Sequence, residues 1–137
     1  MSNIQVAELN AYCKGTLNSA LGIEFTEITK KYIKATMPVD ERTIQPMGML
    51  NGGASMALVE TVASAGANLY LDRDKQVGFG LEINGNHCKP AFKGEMVTAT
   101  ASPLHIGKTT QVWQVHIHNA NGELINASRM TIAIRNR

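Results

Sequence analysis

The sequence predicts an α+β fold, a curved antiparallel sheet wrapped around one long central helix. Three observations predict it. A proline-free stretch, roughly 53–70, is apolar or small on nearly every side, whereas a helix resting on a protein surface carries one polar face. Segments before and after it alternate apolar and polar residues with the period of two that marks strands. The chain has 137 residues, the size of one domain with a single core.

Within residues 1–20, Val6, Leu9, Ala11, Tyr12 and Cys13 recur at three- and four-residue steps, which predicts a short peripheral helix ended by Gly15. Leu21, Ile23 and Phe25 alternate, and after a charged break Ile33, Ala35 and Met37 alternate again up to Pro38. These form a first hairpin. Beyond the central helix about four more strands follow. In the first, Val77, Phe79, Leu81 and Ile83 are expected on one face. Val97, Ala99 and Ala101 mark the second, and Trp113, Val115 and Ile117 the third. Ala120-Asn121-Gly122 turns the chain into the last strand, with Met130, Ile132 and Ile134 in step. No repeat or linker divides the chain, so residues 1–137 are read as one domain.

Composition excludes several function classes. Thirteen basic and eleven acidic residues leave a net charge of +2, scattered along the chain, so no track for nucleic acid and no membrane-binding patch is expected. The start has no basic and apolar leader, and Cys13 and Cys88 have no metal or redox spacing, which together point to a reducing cytoplasm. His116 and His118 lack a carboxylate or thiol companion, so no metal is expected. Gly107-Lys108-Thr109 has Ser102 where a phosphate-binding loop needs its first glycine, and Gly78-Phe79-Gly80 enters a strand. No cofactor is implied.

On a helical wheel Ala54, Leu58, Thr61, Val62, Ala65 and Leu69 share the stripe expected to face the sheet. The opposite side carries Gly53, Met56, Glu60, Ala63, Ser64 and Ala67, too apolar for water and therefore assigned to a partner subunit. A membrane span does not fit, because Glu60, Asn68 and three glycines interrupt the run. Between Arg42 and Asp72 the only formally charged residue is Glu60. A carboxylate in apolar surroundings has its charged form destabilised, which makes it a stronger base or nucleophile. The bland alternative is a buried ion pair, or a cap on a partner's backbone. Upstream, the loop from Gln45 to Asn51 delivers Gly52 and Gly53 to the first helical turn. Free N–H groups there polarise a carbonyl, and glycine lets a ligand come close. From these glycines to Glu60 is about two turns, roughly 10–12 Å. Either the Glu60 side chain reaches back or the two halves of a site come from different subunits, and the second is preferred.

Ala35-Thr36-Met37-Pro38-Val39-Asp40, the Gln45-Pro46-x-Gly48 loop, Gly52-Gly53-Ala54-Ser55 with Glu60, Gly80-Leu81-Glu82-Ile83-Asn84-x-Asn86-His87 and Val112-Trp113-Gln114 resemble the hotdog-fold acyl-CoA thioesterases. The chain is most similar to the 4-hydroxybenzoyl-CoA type, whose bacterial relatives hydrolyse 1,4-dihydroxy-2-naphthoyl-CoA in menaquinone synthesis or proofread aryl-carrier proteins. The likeness runs from about residue 20 to the end. It implies that Glu60 attacks the thioester carbonyl or acts as general base for water. It further implies that the Gly52 N–H polarises the thioester oxygen, that Gln45 orients the carbonyl or the water, and that Ser64 lies by the nucleophile or acyl group. Gly53 is expected to adjoin the substrate, and the resemblance implies that His87 contacts the pantetheine arm or nucleotide of CoA. Lys89 and Lys108, the latter in the Gly107–Thr109 turn, are candidate cations for its phosphates. The resemblance also implies a homodimer or a dimer of dimers with sites shared between chains, acting on an acyl- or aroyl-CoA or the matching carrier-protein thioester.

One departure matters. These enzymes usually carry His before the Gly-Gly pair, where this chain has Asn51, which hydrogen-bonds a carbonyl but does not titrate near neutral pH. Slower turnover is expected. The competing readings are a non-catalytic acyl-CoA or small-ligand binding protein and a hydratase or dehydratase, the last disfavoured by the missing His.

Overall fold

The computed structural model describes residues 4–137. Two short helices, α1 (Val6–Tyr12) and α2 (Leu17–Ala20), precede strands β1 (Glu24–Ile28) and β2 (Ile33–Pro38). The long helix α3 (Gly52–Leu69) follows, then β3 (Gln76–His87), β4 (Met96–Ile106), β5 (Thr110–His118) and β6 (Leu124–Asn136). The strands form one antiparallel sheet in the order β1-β2-β4-β5-β6-β3, and α3 packs against five of the six. This is the hotdog arrangement.

Sequence explains the local choices. Asn51 caps α3 by accepting the Gly53 N–H on its side-chain oxygen at 2.7 Å. No proline or β-branched run interrupts the 18 residues that follow. Alternation in β2 and β5 places Ile33, Ala35 and Met37, and Trp113, Val115 and Ile117, in the core against Leu58, Val59 and Val62 of the helix. Gly66 lies close to Trp113, since a Cβ there would come within 2.7 Å of the indole ring. The β5–β6 turn uses the positive φ of Gly122 (78°) and the Asn119 side chain, which accepts the N–H groups of Asn121 and Glu123. Among the described residues no helix is long and apolar enough to cross a membrane.

Two expectations need correction. The face of α3 against the sheet is formed by Ala54, Ser55, Leu58, Val59, Val62, Ala63, Gly66, Ala67 and Leu69. Ala63 and Ala67 are therefore in the core, while Thr61 and Ala65 lie on the open side with Glu60, Ser64 and Asn68. The buried stripe is rotated by about one residue from a wheel centred on Leu58, because small residues fit either side of this helix equally well. In β3 a bulge between Gly80 and Glu82 breaks the expected single face. Directly paired residues share a face, so Gly78, Gly80, Ile83, Gly85 and His87, opposite Ile134, Ile132, Met130, Ser128 and Asn126, look towards α3. Phe79 and Leu81 are 56% and 61% exposed. Glycines allow the helix close: a Cβ on Gly80 would stand 2.6 Å from Glu60 Oε1.

Candidate functional site

The loop leading to α3 is tightly held. Thr43 donates its hydroxyl to the Pro38 carbonyl (2.7 Å), and its own carbonyl accepts the Asn51 N–H (2.8 Å). The Leu50 N–H reaches the Ala91 carbonyl (2.8 Å). Gly48 turns the chain at φ 83°, and its N–H bonds back to the Gln45 carbonyl. The Gln45 side-chain oxygen accepts the Met47 N–H, which leaves the Gln45 amide NH2 as a donor without an acceptor among the described residues. The same is true of the Gly52 N–H and of the Asn51 NH2, whose oxygen is committed to the helix cap.

Gln45 and Gly52 line a cavity of about 310 Å³ together with Ser55, His87, Lys89 and Pro90 among others. His87 stands over the first turn of the helix, with Nε2 2.9 Å from where a Cβ on Gly52 would be. Gln45, Gly52 and His87, distant in sequence, are thus brought together. Asn51 and Gly53 adjoin them at the start of the helix. Lys89 lines the same cavity, but its ammonium is paired with Glu123 at 2.6 Å. Hydrogen bonds from Lys89 and Asn119 hold the Glu123 carboxyl below the usual carboxylate range.

Glu60 and Ser64 lie elsewhere. They line a larger cavity of about 950 Å³ on the open side of α3, with Thr61 and Asn68, walled by Leu9, Tyr12 and Phe25. The N-terminal segment is a cavity wall as well as a flank: Asn10 exchanges two hydrogen bonds with the Phe25 backbone, at 2.9 and 2.8 Å. The Ser64 hydroxyl approaches Glu60 Oε1 at a long 3.4 Å. Glu60 is half-buried, and no lysine, arginine or histidine forms an ion pair with it among the described residues.

Within one chain the glycine donors and the carboxylate therefore open onto different cavities, separated by about 12 Å along the helix. The Gly107–Thr109 turn lines neither. It joins β4 to β5 at the far end of the sheet from His87, where the Thr109 carbonyl accepts the Ile134 N–H. Two residues at the site escaped sequence reasoning. Asn126 and Ser128 lie buried behind His87 and Met56. Their signal was present: they continue, as polar residues, the inward alternation of Met130, Ile132 and Ile134.

A family model described as the thioesterase superfamily matches residues 47–126. A Bacillus subtilis protein provisionally named as the esterase ComA2 is 52% identical over 88% of this chain and 95% of its own. The 1,4-dihydroxy-2-naphthoyl-CoA hydrolase of Escherichia coli is 43% identical, covering 96% of this chain and 95% of its own. The crystal structure of a thioesterase from Haemophilus influenzae superposes with a TM-score of 0.95 at 41% identity, covering 98% of this chain and 93% of its own.

Proposed function

Because the chain belongs to the thioesterase superfamily, whose members hydrolyse thioesters, we propose that it cleaves an aroyl- or acyl-CoA, or the matching carrier-protein thioester, at a site built from two copies of itself. The observation that carries this reading is the division of the site within one chain: Gln45 and Gly52 on one cavity, Glu60 on another. Between them runs β3, twelve residues long and bonded only to β6. Asn68 takes the N–H and C=O of Gly78 with its side chain (2.9 and 3.2 Å), and beyond that point the outer edge is uncovered among the described residues. The strand has no Lys or Pro to blunt the edge, and Phe79 and Leu81 are exposed on it. A second copy pairing antiparallel along this edge satisfies its backbone. In a register centred near Ile83 and Asn84, the Gly80 that abuts Glu60 in one protomer stands opposite His87, beside Gly52, in the other.

In that arrangement the thioester oxygen rests on the Gly52 N–H, where the helix dipole favours developing negative charge, and the Gln45 NH2 orients the carbonyl or the water. The Glu60 carboxylate of the other protomer either adds to the carbonyl carbon, expelling the thiolate and leaving an anhydride that water cleaves, or takes a proton from the attacking water. Both routes release free acid and thiol. The likeness to the naphthoyl-CoA hydrolase makes aromatic thioesters the first substrates to try. Lys89 reaches CoA phosphates by leaving Glu123, and Lys108 of the partner serves only if the dimer brings its turn alongside.

The test is thiol release from a panel of aroyl- and medium-chain acyl-CoAs, combined with subunit mixing. Glu60→Ala and Gln45→Ala chains, each nearly inactive alone, are expected to regain about a quarter of wild-type activity when unfolded together and refolded. Random pairing makes half the dimers mixed, and each mixed dimer holds one intact site of two. No recovery means that the site lies within one chain. Asn51→His is expected to raise kcat by about tenfold by restoring an imidazole, while losing the asparagine cap lowers stability by about 0.5–2 kcal/mol. Unchanged or lower kcat in that variant counts against a limiting role for Asn51.

A further inference from the structure

The mechanism gives no task to the polar side chains buried behind His87. Asn126 is wholly shielded from solvent and Ser128 nearly so. A buried amide and hydroxyl are costly unless each finds a partner, and here the partners form a chain. The Ser128 hydroxyl donates to Asn126 Oδ1, which leaves the Asn126 NH2 facing His87 Nδ1 at 3.3 Å. Met56 Sδ, a weak acceptor and no donor, lies 3.9 Å from the same NH2. Turning the amide over would set its oxygen against that sulfur, acceptor against acceptor, so the Met56 contact favours the orientation that points the NH2 at His87, while the Ser128 hydroxyl would serve either one.

An amide NH2 only donates, so the imidazole nitrogen facing it is the one without a proton, and in the neutral ring the proton sits on Nε2. Nε2 is the atom that overhangs Gly52. We infer that Asn126 and Ser128 are positioning residues that hold His87 as its Nε2–H tautomer, so that the ring and the Gly52 N–H offer two adjacent donors to the thioester oxygen. With the proton on Nδ1, Nε2 would turn a lone pair towards the developing oxyanion and oppose the reaction. Asn51 supplies no imidazole at this helix end, which leaves His87 as the ring nearest Gly52. The inference rests on the thioesterase reading, yet the tautomer is measurable without turnover.

Long-range 1H–15N correlation spectra of the labelled wild-type protein, with the His87 ring assigned by its loss in His87→Gln, report which nitrogen carries the proton. The expected result is Nε2–H. In Asn126→Asp the carboxylate accepts instead of donating, so the proton moves to Nδ1 and kcat falls about a hundredfold with little change in KM, the scale of losing one oxyanion donor. Ser128→Ala removes only the anchor of the amide, and there the Nε2–H population drops and kcat falls about tenfold. Gly52→Ala keeps the N–H but its methyl pushes the ring away. It should lose activity while the helix melts no earlier, alanine being the better helix former. A wild-type ring protonated on Nδ1 overturns the inference whether or not the variants fold, as does a folded Asn126→Asp with unchanged tautomer and kcat. If the wild type shows Nε2–H but hydrolyses no thioester, the assigned reaction fails and the tautomer control stands.

Discussion

Replacement of Glu60 by glutamine is expected to lower kcat by about three orders of magnitude while the protein stays folded. The scale is that of losing a positioned general base or nucleophile, roughly 10²–10⁴-fold. Glutamine keeps the shape and the hydrogen-bonding reach but neither adds to a carbonyl nor accepts a proton from water. Folding should be indifferent, because the Glu60 side chain is half-buried and makes one long contact with Ser64 (3.4 Å) and no ion pair among the described residues. A thermal midpoint within a few degrees of wild type, measured beside thiol release, separates loss of chemistry from loss of structure. Wild-type rates in Glu60→Gln would remove this carboxylate from the mechanism and return it to the role of a helix side chain at an interface.

The second large effect concerns the sheet edge. Leu81 is exposed in the single chain, so Leu81→Lys should leave the protomer intact. In a dimer paired antiparallel along β3 about Ile83 and Asn84, residue 81 lies within the paired edge, and the substitution sets a lysine against the partner's strand on each side of the axis. Lysine is also what protein edges use to discourage strand pairing. The expected outcome is a particle of half the mass by light scattering and hydrolysis reduced about a hundredfold or more, since each monomer keeps its glycine donors and its carboxylate but no longer opposes them. A monomer with full activity would show that Glu60 and Gly52 cooperate within one chain. A dimer that survives with wild-type rates would place the interface elsewhere.

Much of this was legible before folding. Period-two alternation announced β2 and β5 because each buries one face, and the Asn121-Gly122 pair announced the last hairpin because a positive φ was needed there. The long helix and its solitary Glu60 stood out because an all-round apolar segment tolerates a charge only for a reason. Facing was harder. Alanine and glycine carry almost no directional information, so the sequence did not separate Ala63 and Ala67, which meet the sheet, from Ala65, which does not. The bulge at Gly80–Glu82 likewise left no mark in composition, and it puts Ile83, Gly85 and His87 on the inward face with Gly78 and Gly80, while Phe79 and Leu81 look outwards.

By itself, then, the sequence determined the α+β class, the order of the elements, the loop of donors ahead of the helix and the acid two turns along it. These follow from local periodicity, which depends only on neighbours in the chain. Tertiary structure alone decided that Gln45, Gly52 and His87 share one cavity while Glu60 opens onto another, that Lys89 is already paired with Glu123, and that Asn126 stands behind His87. Each of those facts depends on strand pairing and helix packing between residues far apart in the chain, and no local pattern records such a distance.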